Sequence, residues 1–97
     1  MIPAPGEGAW VCRRSAALRL RSWPEGGVVY DAADGSLTAL SPVAAELLAL
    51  LLDGAPQRTD SLAQRLLQAA PEPEDLEGVE QHLSQFHGLG FIEHASA

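Results

Sequence analysis

The chain has 97 residues, 46% of them hydrophobic and 20% charged, with nine Gly and seven Pro, which suits one small domain built around one core. A chain of that length buries only part of its surface, which leaves little room for a deep catalytic cleft beside its own scaffold. Six arginines and no lysine oppose thirteen Asp and Glu, and the resulting net charge of -7 argues against phosphate backbones and anionic lipid as partners.

Residues 1–9, with two prolines and two glycines in Met1–Gly8, read as a flexible N-terminal segment; residues 10–94 read as the single domain and 95–97 as a tail. The conformation of Trp10 to Arg14 is not fixed by its sequence, although Trp10 calls for apolar cover. From Leu18 the side chains alternate, Leu18 and Leu20 apolar with Arg19 and Arg21 charged, the period of a half-buried strand. Pro24, Gly26 and Gly27 read as a break, and Val28, Val29 and Tyr30 as a second strand. Asp34-Gly35 then stands between two apolar runs, a hairpin signal because glycine tolerates positive φ, so the second strand pairs antiparallel with a third at Ser36 to Leu40.

Ser41-Pro42 switches the period. Serine is a favoured N-cap, and proline at the first helical position gives up a donor that is unpaired there in any case. Val43, Leu47, Leu50 and Leu51, widened by Leu48 and Leu52, predict a helix buried on more than one side until Asp53-Gly54 ends it. Thr59 or Asp60 can cap a second helix carrying Leu62, Leu66 and Leu67, which runs to Ala70-Pro71. Pro73 opens a third, with Glu74, Asp75 and Glu77 at its positive N-terminal end and Leu76, Val79, Leu83 and Phe86 at helical spacing. Gly88 or Gly90 stops it, and Phe91-Ile92 reads as a short closing strand. The fold class is α+β, three strands followed by three helices.

Few motifs carry chemistry. Cys12 is the lone cysteine, so no internal disulfide forms, and its context supplies no histidine base; a small buried hydrophobe is its plain reading. His82 and His87 are five residues apart, well off the four-residue spacing that stacks two metal ligands on a helix, and with His94 they do not predict a metal site. Neither Gly26-Gly27 nor Gly88-Leu89-Gly90 has the phosphate-loop pattern, so both read as turns and caps. Leu47 to Leu52 is the longest apolar run, six residues where a membrane span needs about 20. With no hydrophobic signal region at the start, the expected compartment is the cytoplasm. No catalytic residue, cofactor or metal is expected.

The run Val28-Val29-Tyr30-Asp31-Ala32 through Asp34-Gly35, then Leu40-Ser41-Pro42-Val43-Ala44-Ala45-Glu46-Leu47-Leu48, resembles the PqqD-like family of peptide chaperones. In particular it is similar to members found beside HPr-kinase-related proteins. The resemblance covers roughly Leu18 to Ile92. It implies a three-stranded antiparallel sheet joined to a winged-helix-like three-helix unit that binds the leader segment of a ribosomally made precursor peptide, as a recognition element without catalysis. The partners it implies are the precursor's leader and a peptide-modifying enzyme or HPr-kinase-related protein. Carried onto this sequence, the leader adds as a strand along Ser36, Leu37, Thr38, Ala39 and Leu40, and its side chains press against Val79, His82, Leu83 and Phe86 of the third helix. Which face of that helix is free stays open.

Strand addition is physically sound on these residues, because an edge strand offers N–H and C=O groups whose bonds do not depend on ligand side chains. The third strand has no proline or lysine of the kind that discourages pairing. The same edge is covered in two other readings, by the chain's own N-terminal segment or by a second subunit in a homodimer. A different class of function is a winged-helix DNA-binding or transcription-regulating domain, against which stands Arg65 as the only cation of the second and third helices. A subunit that only stabilises an enzyme partner shares every feature of the leader-binding reading.

Overall fold

Apolar alternation, the Asp-Gly turn and the Ser-Pro cap generate the elements they predict. The computed structural model, which describes residues 9–95, orders them as β1 (Ala9–Val11), a 3-10 turn (Ser15–Ala17), β2 (Leu18–Trp23), β3 (Gly26–Asp31), β4 (Ser36–Leu40), α1 (Pro42–Leu51), β5 (Gln57–Arg58), α2 (Thr59–Leu67), α3 (Pro73–Gly88) and β6 (Glu93–His94). The fold is α+β, with a three-stranded antiparallel sheet followed by three helices. Of the segment 1–9 expected to be flexible, only Ala9 falls within the described residues, where it opens β1; of the 95–97 tail only Ala95 does, its N–H donating to Ala9 O.

The main sheet has the order β2-β3-β4. Its register aligns Leu20, Val29 and Thr38 across the strands, and Arg19, Tyr30 and Leu37 in the next row. Cross-strand partners share a face and successive residues alternate, so Leu18, Leu20 and Val29 point inward while Arg19, Arg21, Tyr30 and Leu37 point out. Gly35 holds the hairpin with φ +76°, and the Asp34 carboxylate accepts the Ser36 N–H at 2.9 Å. Asp31 closes the other side of that turn. Its buried carboxylate accepts the Ala33 N–H and both oxygens take Arg14 Nη2, while Arg14 Nη1 donates to Gly90 O beyond the end of α3.

On the inner face lies α1, capped by Ser41 Oγ accepting the Ala44 N–H at 3.2 Å. Its Ala44, Ala45, Leu47, Leu48 and Leu51 are buried, and α2 and α3 close the core with Leu62, Ala63, Val79, Leu83 and Phe86. Gly26 and Gly27, expected as a break, are strand residues paired with Trp23 and Ser22, and the turn is Pro24-Glu25. The glycines are there for space. A Cβ on Gly27 would stand 2.8 Å from Arg21 O and 3.0 Å from the Ala45 Cβ, and one on Gly26, at φ +152°, would stand 2.7 Å from Leu40 O.

A second small sheet, of order β5-β1-β6, was not predicted. It places Trp10 opposite Gln57 on one side and His94 on the other. Phe91 and Ile92 do not form the closing strand; both are buried in the core, and the strand is the following pair, Glu93–His94. Apolar side chains there are drawn to the core, so the pairing falls to the next residues. The second helix ends at Leu67, three residues before Ala70, because Gln68 turns into the left-handed region at φ 57° and donates its N–H to Gln64 O. The third begins as expected, with the Asp75 carboxylate accepting the Glu72 N–H at 2.9 Å.

Neither predicted cap opens α2 with its side chain; the N-cap is Arg58. The Thr59 hydroxyl is engaged elsewhere, accepting Trp10 Nε1–H at 3.2 Å and donating to Glu80 Oε1 at 2.6 Å. Trp10 and Thr59 are buried, so this bridge ties β1, α2 and α3 together through groups that cannot turn to water. Thr59→Val keeps the shape and leaves the indole N–H without its acceptor. Urea denaturation should show a loss of about 1–3 kcal/mol, and unchanged stability would mean the bridge contributes nothing.

Candidate functional site

The main sheet has two edges that are unpaired among the described residues, β2 and β4, since each pairs with β3 alone. They differ in chemistry: β2 carries Arg19 and Arg21, whereas Ser36-Leu37-Thr38-Ala39-Leu40 has neither charge nor proline. Charge blunts an edge, and its absence leaves β4 able to accept another strand. Next to β4 runs α3, and the two border a groove of about 310 Å³.

Three short stretches line it. Thr38, Ala39 and Leu40 come from β4, Ser41 and Ala44 from the start of α1, and His82, Gln85, Phe86 and Leu89 from α3 and its C-terminal cap. The last four are spaced i, i+3, i+4 and i+7, one stripe of a helix. Beside it runs the stripe of Val79, Leu83 and Phe86, which is buried in the core. The two stripes share Phe86, and the face of α3 that borders the groove is the one through His82, Gln85 and Leu89.

Of the residues singled out from the sequence, the fold brings together Thr38, Ala39, Leu40, His82 and Phe86 along this groove. Ser36 and Leu37 belong to the same strand but lie toward the Asp34-Gly35 turn, exposed and away from the lining. Val79 and Leu83 sit in the core, 5% and 0% exposed, and do not line it. Sequence reasoning missed Ser41, Ala44, Gln85 and Leu89. For Gln85 and Leu89 the signal was available, since both follow from His82 by helical spacing; for Ala44 it was not, because only packing shows that a small side chain there leaves space.

The lining holds no arginine and no acid, and His82 is its only titratable group. Thr38, Ser41 and Gln85 add hydroxyl and amide groups around Leu40, Ala44, Phe86 and Leu89. Such a surface suits an extended, uncharged segment whose main chain bonds to β4 while alternate side chains enter the groove. Two other histidines are placed elsewhere: His94 stacks on Trp10 with ring centroids 4.0 Å apart, and His87 packs edge-on to His94 at 5.3 Å. Among the described residues no three His, Cys, Asp or Glu side chains are grouped to hold a metal ion, and no helix is long and apolar enough to cross a membrane.

Cys12 lies in the core just past the end of β1 at 1% exposure, and burial pushes its thiol pKa up despite the neighbouring Arg14. The thiolate is the reactive form. Native protein at pH 8 should therefore react with a thiol-specific chromogenic disulfide far more slowly than urea-unfolded protein. A free-thiol rate in the native state would contradict the burial.

No family model matches the chain, and no curated protein matches it. Among solved structures the chain is similar to TbiB1 in complex with the TbiA(beta) leader peptide, with a TM-score of 0.63 at 14% sequence identity, over 84% of this chain and 94% of that one. What the likeness shows is a shared fold.

Proposed function

We propose that this protein is a non-enzymatic recognition element of the PqqD-like kind, which captures the leader segment of a ribosomally synthesised precursor peptide and presents it to a modifying enzyme. One observation carries the reading: the undefended edge of β4 runs beside a groove against α3, so a single extended guest can complete the sheet and fill the groove together. The shared fold with TbiB1, which was solved with a leader peptide, supports it. Backbone pairing supplies affinity without regard to sequence, and the pocket among Leu40, Ala44 and Phe86 selects apolar anchors. The enzyme served is a peptide-modifying one or an HPr-kinase-related partner, and the setting is the cytoplasm. A duplex-reading role is disfavoured, since Arg65 is the only Arg or Lys of α2 and α3 and its guanidinium donates to the Gln57 side chain.

A short strand and a few anchors make an interface at the small end, below about 1,200 Å². Calorimetry with the leader of the neighbouring precursor should give saturable heat, and none at high micromolar concentration would count against the proposal. Proline scanning sharpens the test. Of two successive residues on an antiparallel edge, one donates its N–H inward and the other outward. Of Thr38→Pro and Ala39→Pro, one therefore breaks the pairing with β3 and the other removes only a free donor. The folded variant of the pair should lose about tenfold or more in leader affinity, and an unchanged affinity would locate the site elsewhere. Ala44→Leu, which fills the groove from α1, should weaken leader binding while costing about 1–3 kcal/mol of stability at most.

A further inference from the structure

The outer face of the main sheet, opposite α1, is uncovered among the described residues and carries three large exposed side chains: Trp23 at 49%, Tyr30 at 41% and Leu37 at 69% exposure. The register puts Tyr30 beside Leu37 and Arg19 in one row, Val28 beside Ala39 and Arg21 in the next, and Trp23 at the end of β2. Trp, Tyr and Arg are the side chains that dominate protein–protein binding energy. The charges on this face are unusual for the molecule. Of six arginines, Arg13 pairs with Glu93, Arg14 with Asp31, Arg58 with Asp60 and Arg65 with Gln57. Arg19 and Arg21 have no hydrogen bond or ion pair among the described residues, although the chain has an excess of acids.

We propose that this face is a second docking surface, for a partner protein whose contact patch is apolar and bears two carboxylates that match Arg19 and Arg21. Being i and i+2 on one strand, the two cations stand about 7 Å apart. That is the spacing of acids at alternate positions of a strand or one turn apart on a helix. The occupant is not a polyanion, because two cations in a chain of net charge -7 cannot anchor a phosphate backbone or an anionic membrane. Nor is it a second copy seated face to face, since the rows themselves hold no acid to meet the partner's arginines; Glu25 and Asp34 lie in the turns beyond them. Side chains alternate along β4, so Leu37 belongs to this face while Thr38 and Leu40 belong to the groove. A peptide in the groove and a partner on the outer face can therefore be held at once, on opposite sides of one strand.

The probe comes from the reading given under Proposed function, on which this face rests: the partner is the peptide-modifying enzyme to which the leader is presented. Purified enzyme and labelled leader peptide are each titrated against wild type, Arg19→Glu/Arg21→Glu and Tyr30→Ser, at low and at physiological salt. Expected is a loss of about tenfold or more in enzyme affinity for the double variant and a smaller loss for Tyr30→Ser, with leader affinity within about twofold of wild type and enzyme binding weakened by salt. Enzyme affinity unchanged in both variants overturns the docking surface. Leader bound but enzyme not bound by the wild type overturns it too and leaves the groove reading intact. Enzyme bound through Arg19 and Arg21 with no leader bound supports the surface and overturns the groove reading, and binding of neither overturns both. Self-association abolished by the same variants would assign the face to a second copy and likewise overturn the proposal.

Discussion

The close seating of α1 on the sheet is the constraint from which the rest of the architecture follows. An apolar helix with Leu47, Leu48 and Leu51 all at 0% exposure must be covered on several sides, and this domain has a main sheet, a small second sheet and two further helices with which to do it. Gly27 is the point of close approach, since a Cβ there would stand 3.0 Å from the Ala45 Cβ and 2.8 Å from Arg21 O. Burial of this kind is non-directional, but the glycine gives it a direction by fixing how near the helix comes and where it points.

Once α1 is seated, α3 has a defined place. Its Val79, Leu83 and Phe86 close the core, and this leaves the adjacent stripe of His82, Gln85 and Leu89 facing the edge of β4. The groove is thus a by-product of packing: two elements held apart by a helix whose first turns present Ser41 and Ala44, neither large enough to fill the gap. The remaining tie is polar. Arg14 joins Asp31 at the end of β3 to Gly90 past the end of α3, and so fixes the sheet relative to the helix that forms the other bank.

An open strand edge is a hazard as well as an opportunity, because it invites pairing with any exposed chain. Here β4 is five residues long and flanked by α3, which limits access to a guest able to satisfy both the backbone and the groove. The opposite edge, β2, carries Arg19 and Arg21 instead. On the proposed reading the sheet then has two working surfaces, a guest strand beside Thr38 and Leu40 and a partner on the rows of Tyr30 and Leu37. Both depend on the alternation of side chains along one short strand.

Local signals were legible in the sequence wherever one element's own residues decide the outcome. Asp34-Gly35 implied the hairpin, Ser41-Pro42 the start of α1, and the spacing of Val79, Leu83 and Phe86 the buried face of α3. The assignment of the β4 edge, His82 and Phe86 to a peptide site came from the family resemblance and not from any local pattern, and the charge of -7 bounded the class of partner. Tertiary structure decided the rest. Strands of two or three residues, such as β1, β5 and β6, are too short to carry a periodic signature and exist only because distant parts of the chain meet. Thr59 read as a cap until Trp10 and Glu80 claimed its hydroxyl, Gly26-Gly27 read as a turn until α1 and β4 came close, and nothing local marked Ala44 until the space beside it opened. In each case the deciding neighbour lies well away along the chain, and no local pattern records it.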